Sequence, residues 1–414
     1  MPGPIPESGS IKAPPASVQA RIGADVLAGP PRSYGAIVWR QLRRRHGFMA
    51  ALAVVMLLVL AALLAPFIAG EVPIRWVENG RTSWPIFRYL TSAEYAAMLA
   101  FLLALALPLT VRFLRPRTLV AGASPWAWAV LLHLAVWLLV TAALVTVRQP
   151  ERRYGFYLER AGEVQAAWFP PIAYPRYPGY AELDVRQEPP SWRHPFGTGR
   201  LGDDVLIGIL YGARTALSIG FVAVGIGSGL GVLLGALSGF FGGLVDLVLM
   251  RLAEIFMCFP RLILIIIILT VIPAWVPPLW MVVLVLGVTG WTGDYRLMRA
   301  ELLRIRGQDY ITAARALGIP TWRLLLRHAV PNGLAPILVG ATFGIAGAVF
   351  LETSLAFLGL VQTPSWGEML NDGRQHLEYW WLWASAGLAI FITVFVYNLL
   401  GEAVRDAIDP RLKL

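Results

Sequence analysis

Few residues in this chain could carry chemistry. Its 414 residues include five histidines and a single cysteine. Two ionisable groups, His133 and Glu352, lie in or beside long apolar runs, where such groups often mark a proton, metal or substrate site. A membrane-embedded enzyme built on these two residues is therefore one hypothesis. The histidines are His46, His133, His194, His328 and His376.

Each of the two groups also has a plainer interpretation. His133 could be a neutral histidine bonded to a neighbouring helix, and Glu352 could cap a helix and face water instead of lining a pathway or gate. Catalysis needs acid–base or metal groups that converge. The histidines are scattered along the chain and no H-E-x-x-H pattern is present, which disfavours an enzyme.

The lysines and the cysteine bear on nucleotides and metals. The lysines are Lys12 and Lys413, and neither follows the glycines of a phosphate-binding loop. One cysteine, Cys258, excludes an internal disulfide and a cysteine-based metal cluster, and its apolar neighbours predict a buried thiol. We therefore expect no cofactor, no metal and no nucleotide site in this chain.

The composition indicates an all-α polytopic membrane protein. Hydrophobic residues make up 57% and charged residues 14% of the chain, whereas soluble domains carry about 25% charged residues. The net charge of +10 comes from arginine clusters, which mark cytoplasmic loops. For that reason we expect contact with membrane lipid and none with nucleic acid.

Apolar runs predict eight spans with both termini in the cytoplasm. The basic clusters at 40–45, 112–117, 296–327 and 405–413 all fall on one side of the membrane in this topology. The runs, each taken as one span, are 47–70, 95–111, 125–147, 215–245, 262–272, 279–293, 334–351 and 380–400.

The segments between the spans complete the predicted organisation. Residues 1–46 read as a disordered basic cytoplasmic tail, and 148–205 as an external segment rich in proline and tyrosine with extended structure. The region 71–147 contains two of the spans. A core domain is predicted over 206–404, followed by a cytoplasmic C-terminus at 405–414.

Glycines spaced by four predict close helix packing. On a helix they form one flat stripe, which lets another backbone approach within the membrane. This role is structural and involves no ligand. The five glycines are Gly227, Gly231, Gly235, Gly239 and Gly243.

The segment from Asp309 to Asn332 predicts a knob that projects between two spans. Tyr310, Ala313, Ala314 and Leu317 fall at helical spacings of three and four, so they share one face. Gly318 can end this helix, Pro320 can be the first residue of the next, and that second helix is expected from Thr321 to just before Pro331. A soluble partner could grip such a knob.

This segment resembles the coupling motif of ABC-importer permeases, in which paired alanines precede a glycine and a distal proline. Ala313, Ala314, Gly318 and Pro331 occupy those positions, with Thr312 where the family often has Glu. Three further blocks resemble the dipeptide, oligopeptide and nickel permeases, at His194–Leu217, Ser365–Leu370 and Gly401–Arg411. In the first block Tyr211, Gly212 and Arg214 match, among others, whereas Gly199 and Asp203 replace a usual Asp and Arg.

The resemblance implies a type I ABC importer transmembrane domain, with six core helices plus an inserted two-helix hairpin at 95–147. It implies the second permease subunit of a bacterial inner-membrane peptide importer, similar to the oligopeptide and microcin-C branch. The implied partners are a homologous permease, two ATP-binding subunits and an external solute-binding protein. The implied ATPase-coupling residues are Asp309, Tyr310, Ala313, Ala314, Arg315, Leu317, Gly318 and Pro331.

An ion-driven secondary transporter remains an alternative function. Such a protein would carry charged groups near the membrane midplane and inverted repeats, and neither is evident in this sequence. The substrate stays open between peptide, nickel and another small solute.

Overall fold

A computed structural model describes residues 34–114, 125–147, 156–172, 187–200, 202–271, 278–361 and 364–408. Residues 1–33 of the predicted tail, and Asp409, Pro410 and Arg411 of the C-terminal block, lie outside this description. The first elements are α1 (Tyr34–Arg43), α2 (His46–Ile68), β1 (Arg75–Glu78), β2 (Arg81–Ser83), α3 (Ile86–Tyr89), α4 (Ser92–Leu114), α5 (Pro125–Val147), α6 (Phe156–Glu159) and β3 (Ala166–Trp168).

The remaining helices form a bundle, and they correspond to the core domain predicted over 206–404. They are α7 (Val205–Phe241), α8 (Gly243–Cys258), α9 (Arg261–Val271), α10 (Pro278–Thr289), α11 (Trp291–Arg306), α12 (Asp309–Ala316), α13 (Thr321–Leu324), a π-helical turn (Leu325–Ala329), α14 (Val330–Gly333), α15 (Ala335–Phe357), α16 (Trp366–Gln375) and α17 (Trp380–Ile408).

Five described helices are long and apolar enough to cross a membrane: α2, α4, α7, α15 and α17. A sixth crossing arises if α8 and α9, bent by 91° at their junction, count as one broken span. The sequence predicts eight spans. Two of the eight predicted spans are not among these six. Helix α10 has 12 residues and rises only about 18 Å, and the apolar stretch of α5 is the short one at Leu132–Thr141.

Helix α7 is the centre of the bundle. It packs against α2, α10, α11 and α15, and we call its Val205 end the far end and its Phe241 end the coupling end. The helix begins ten residues before the uncharged run that predicted it, because the Asp204 carboxylate caps it. That carboxylate accepts hydrogen bonds from the backbone N–H groups of Leu206 (2.8 Å) and Ile207 (3.2 Å).

A small antiparallel sheet lies at the far end, where only loops and extended chain are expected from the sequence. Its strand order is β2-β1-β3, with Trp76 opposite both Ser83 and Ala167. Strand β3 comes from the segment predicted to be extended, and it brings that segment back to the end of α2. The backbone N–H of Gly70 donates to Ile172 O at 3.0 Å. The described chain is mostly α-helical, as predicted, and this sheet of three short strands is an addition to the helices.

The hairpin of α4 and α5 is joined by side-chain hydrogen bonds. Trp137 Nε1 donates to Ala96 O at 2.8 Å. His133 Nε2 lies 3.4 Å from Thr110 Oγ1 on α4, and its Nδ1 lies 2.7 Å from Ala129 O. These partners agree with the plainer interpretation of His133 as a histidine bonded between helices.

The start of the first span and the end of the last span lie together. Arg45 Nη1 donates to Asp406 Oδ2 at 2.6 Å, and Leu42 and Phe48 pack in one cluster with Tyr397 and Ala403. These two ends of the described chain therefore lie in contact with each other.

Candidate coupling site

The coupling segment, Asp309–Asn332, is anchored by three buried apolar side chains. Ile311 and Leu324 are completely buried, and Leu325 is buried beside them. They share a cluster with Phe240 at the end of α7 and with Met298, Leu302 and Ile305 on α11. The base of the segment is therefore part of the packed core that it shares with α7 and α11.

The turn at Gly318 has the geometry that the sequence predicts for a helix end. Helix α12 ends at Ala316, and Gly318 has a φ of +74°, a left-handed conformation that favours glycine. The N–H of Ile319 donates to Ala314 O (3.1 Å) and that of Gly318 to Arg315 O (2.9 Å). This pair of bonds is a Schellman motif, which satisfies the last carbonyls of α12.

The second half of the segment is longer than the sequence predicts. Pro320 lies just before α13 and not inside it. The helical run continues through a π-turn into α14, so it does not end before Pro331. Pro331 is the second residue of α14 and follows directly on the π-turn, so the hydrogen-bond pattern of the run changes just before the residue that lacks an N–H group.

An apolar surface caps the coupling segment. The exposed fractions are 82% for Leu317, 64% for Leu326, 57% for Trp322 and 42% for Tyr310. Ala313 is also exposed, whereas Ala314 is half-buried and packs on the core cluster. The four residues assigned to one face thus divide, with Ala314 turned inward and the other three turned outward.

Charged and polar residues also lie on the surface of the segment. The Arg315 guanidinium lies 5.2 Å from the centroid of the Phe240 ring, and Asn332 Nδ2 donates to the Tyr310 hydroxyl at 3.3 Å. Asp309 is exposed in the first turn of α12, where its negative charge interacts favourably with the helix dipole. Arg323 and Arg327 are exposed as well, so the surface of the segment carries basic residues beside the apolar ones.

The glycine stripe faces α11. A Cβ atom built on Gly235 would lie 2.6 Å from Tyr295 O, and one on Gly239 would lie 2.5 Å from Arg299 O. Gly231 and Gly227 meet the backbone of Trp291 and Gly287 in the same way, at 2.8 and 3.2 Å. Gly231, Gly235 and Gly239 therefore let α7 and α11 pack with their backbones in near contact, and Gly227 lets α7 approach the end of α10 in the same way.

Gly243 does not belong to this stripe. It follows Gly242, which ends α7, and it has a φ of +57°, with nothing within 4 Å of the place that a Cβ atom would occupy. Its role is to redirect the chain into α8. The stripe predicted with five glycines has four.

A polar clamp ties α8 to the same two helices. Arg299 on α11 binds both carboxylate oxygens of Asp246, with Nε to Oδ1 at 2.5 Å and Nη2 to Oδ2 at 2.7 Å. The Ser238 hydroxyl on α7 donates to Asp246 and lies 3.0 Å from the Tyr295 hydroxyl. Sequence reasoning missed this clamp because its charged partners are 53 residues apart.

Two other single residues differ from expectation. Glu352 is 1% exposed and lies within α15, which continues to Phe357, so it does not face water; its role in a pathway or gate stays a prediction. Cys258 is exposed, and the prediction of a buried thiol is wrong. Among the described residues no group of three potential metal ligands was found.

Comparison with known proteins decides the family. Residues 231–414 match the model described as binding-protein-dependent transport system inner membrane component, and residues 33–77 match the N-terminal TM domain of oligopeptide transport permease C. The oligopeptide transport system permease protein OppC of Bacillus subtilis is 39% identical over 231 residues, which cover 55% of this chain and 74% of that protein. This chain belongs to the binding-protein-dependent permease family.

Other permeases are similar to this chain over comparable lengths. The di/tripeptide transport system permease protein DppC of Pseudomonas aeruginosa is 37% identical over 260 residues, covering 60% of this chain and 85% of that protein. A solved structure of the MetNI methionine ABC transporter aligns with a TM-score of 0.42 at 20% identity, covering 49% of this chain and 97% of that chain. The predicted family and its multi-pass membrane character are confirmed by the sequence matches.

Proposed function

We propose that this permease is the second transmembrane subunit of an ATP-driven peptide importer and that the coupling segment is its docking knob for an ATPase subunit. The observation that carries the proposal is the pairing of an exposed apolar cap with a buried base. Leu317, Trp322 and Leu326 are exposed, as expected of a surface that a partner covers. Ile311 and Leu324 fix the same segment to α7 and α11.

The path from the knob into the membrane follows from these contacts. A push on the cap reaches α11 through the cluster around Ile311, and α11 passes it to α7 through the glycine stripe and the clamp of Arg299 on Asp246. Because close-packed backbones leave little free space, these helices would move as one body. The ATPase must grip the knob differently in its two nucleotide states for this motion to be driven.

Peptide as the substrate is supported by the names of the relatives, which are oligopeptide and dipeptide permeases. The proposed assembly pairs this subunit with a homologous permease, two ATP-binding subunits and an external solute-binding protein. This chain would contribute half of the pathway and no nucleotide site, since neither of its two lysines lies in a phosphate-binding loop.

The proposed orientation places the coupling end and both termini in the cytoplasm of a bacterium, with the far end outside. Arginine clusters on the coupling side support it. The contact of Arg45 with Asp406 supports a shared side for the two termini.

The test is co-purification from mildly solubilised native membranes followed by an ATPase assay. We expect a second permease and an ATPase to be recovered, and Gly318→Val to lower the substrate-stimulated ATPase rate about tenfold while the protein remains in the membrane. Gly307→Ala is the matched control, because Gly307 precedes the same segment with a φ of −88° that any residue adopts. Wild-type coupling in Gly318→Val would refute the role of the turn, and purification without any ATPase would refute the assembly.

A further inference from the structure

An open depression lies at the far end of the protein, beside the sheet. Its volume is about 710 Å³, and it is lined by Thr82, Ser83, Trp84, Phe87 and Arg88. These residues belong to β2, to α3 and to the turn between them. None of them takes part in the coupling path described above.

The depression lies at the boundary between membrane and water. The Phe87 ring lies 6.1 Å from the ring of Phe67, which is in the last turn of the α2 span. The Tyr95 hydroxyl, in the first turns of the α4 span, donates to Phe87 O at 2.9 Å. Because it touches the ends of two spans, the depression is level with the lipid headgroups, whichever way the protein is oriented.

The side chains of Trp84 and Phe87 in the depression are about half exposed. Trp84 is 49% and Phe87 46% exposed, whereas Trp76 on β1 and Ile86 on α3 are buried, at 4% and 2% exposed. About half of each of the Trp84 and Phe87 side chains is therefore open to the surroundings. Exposed tryptophan at this depth is typical of side chains that sit among lipid headgroups.

The charge around the depression is positive. Arg88 is exposed, and among the residues that the structure describes no carboxylate forms an ion pair with it. Arg75 on the neighbouring strand β1 is also exposed. The nearby carboxylate of Glu78 already accepts from Trp76 Nε1 (3.1 Å) and lies 3.5 Å from Arg160. An anion is the ligand that this setting favours.

We propose that this depression binds the phosphate headgroup of a membrane phospholipid. The Arg88 guanidinium binds the phosphate, the Thr82 hydroxyl donates to it, and the rings of Trp84 and Phe87 flank the glycerol region. The acyl chains then lie along the exposed apolar side of α4, where Leu102 is 61% and Leu105 57% exposed. This proposal requires only that the protein lies in a membrane, as the family does. It does not depend on the proposed coupling to an ATPase.

Native mass spectrometry of the purified protein tests this site. With added phosphatidylglycerol we expect Arg88→Gln to lower the bound-lipid fraction about fivefold, and Arg81→Gln, an exposed arginine of the same sheet outside the depression, to leave it unchanged. Diacylglycerol, which lacks the phosphate, should bind neither protein at the same concentration. Equal lipid occupancy in the two arginine variants, or displacement of the lipid by an equal concentration of inorganic phosphate, would overturn the proposal.

Photocrosslinking in intact membranes gives an independent readout. Trp84 is replaced by the photocrosslinker p-benzoylphenylalanine in two proteins, one with Arg88 and one with Arg88→Gln. Irradiation should crosslink phospholipid to the protein with Arg88 and much less of it to the Arg88→Gln protein. Exclusive attachment to a soluble extracytoplasmic protein would assign the surface to a protein partner and refute the lipid site. Both readouts remain informative if the coupling proposal fails, because neither uses transport or ATP.

Discussion

At its coupling end α7 meets α11 backbone against backbone, whereas at its far end it is held by side chains from distant segments. Gly235 and Gly239 bring the two helices into near contact at the coupling end. At the far end, the Tyr211 hydroxyl donates to Ala69 O at 3.1 Å, and Arg214 pairs with the buried carboxylate of Glu94 in the inserted hairpin.

The contacts at the two ends of α7 differ in how much movement they allow. Packing of the α7 glycines on the α11 backbone leaves little room for relative movement, which suits an interface that transmits a push. The far end depends on individual side-chain contacts to the sheet region and to α4, which leave the close packing of α7 on α11 unaffected. The coupling end also falls within the region matched by the family model, 231–414, while the far end of α7 lies outside it.

The most severe test of this contrast enlarges one glycine of the stripe. Gly235→Val should destabilise the protein by about 3 kcal/mol, because its Cβ position lies 2.6 Å from Tyr295 O and 2.8 Å from Met298 Cβ. Gly229→Val on the same helix has nothing within 4 Å and should cost less than about 1 kcal/mol. Thermal unfolding followed by size-exclusion chromatography measures both. Equal stability of the two variants would show that the close approach of α7 and α11 at Gly235 does not restrict the side chain at that position.

The clamp on α8 gives the next largest expected effect. Arg299→Ala should cost about 2 kcal/mol, because Asp246 loses two charge-assisted hydrogen bonds. The control is Arg304→Ala on the same helix, whose pair with Glu301 is more exposed and should contribute little. The same unfolding assay applies. If Arg304→Ala lost as much stability as Arg299→Ala, the bonds from Arg299 to Asp246 would contribute no more than an exposed ion pair.

At the far end, Glu94→Gln should cost about 1.5 kcal/mol. The change removes the charge that faces Arg214, while the amide retains some hydrogen bonding to the N–H of Thr91. Hydrogen exchange should become faster in the first turns of α4 and remain unchanged in α11. In the double variant with Arg214→Gln part of the loss should return, because no unpaired arginine remains. Faster exchange throughout α11 would mean that the two ends are not independent.

The smallest predicted effect is a pH dependence at the far end. Burial, followed by repulsion from Asp372 and Asp203, raises the pKa of Glu368 on α16 from 4.5 to about 7. Folding therefore favours the protonated carboxyl, and the wild-type protein should lose stability as the pH rises from about 4.5 to about 7.

In Glu368→Gln this pH-dependent loss should be smaller by about 1 kcal/mol, after allowance for the partial exposure of the group. Unfolding measured at pH 5 and pH 8 in both proteins gives the difference. Identical pH profiles would show that the carboxyl is fully solvated. A matched change at Glu301, a partly exposed carboxylate of α11 that pairs with Arg304, should leave the profile unaltered.

The sequence predicted features that depend on local backbone chemistry. Gly318 ends α12 because the left-handed position there favours glycine, and this can be anticipated from one residue and its neighbours. The glycine spacing likewise indicated which side of α7 could approach another backbone. Hydrophobic runs located the long spans because a bilayer requires about 20 apolar residues.

Features that depend on distant partners could not be predicted in this way. The start of α7 at Val205 was missed because Arg214 seemed to interrupt the span, and the sequence does not reveal that Glu94, 120 residues away, neutralises it. The sheet was missed because its strands are three or four residues long and β3 is far from β1 in the chain. The run through Pro331 was missed because proline ends a helix in most positions, and the sequence does not show the π-turn that precedes it here.

The length of α7 has a mechanical consequence. Its 37 residues rise about 55 Å, nearly twice the roughly 30 Å of a bilayer core. A stiff rod that is longer than the layer it crosses extends beyond that layer. The two ends of α7, one packed on α11 and the other bound to Ala69 and Glu94, therefore belong to a single unbroken element. A displacement at one end would reach the other end directly, without passing through a loop or a second helix.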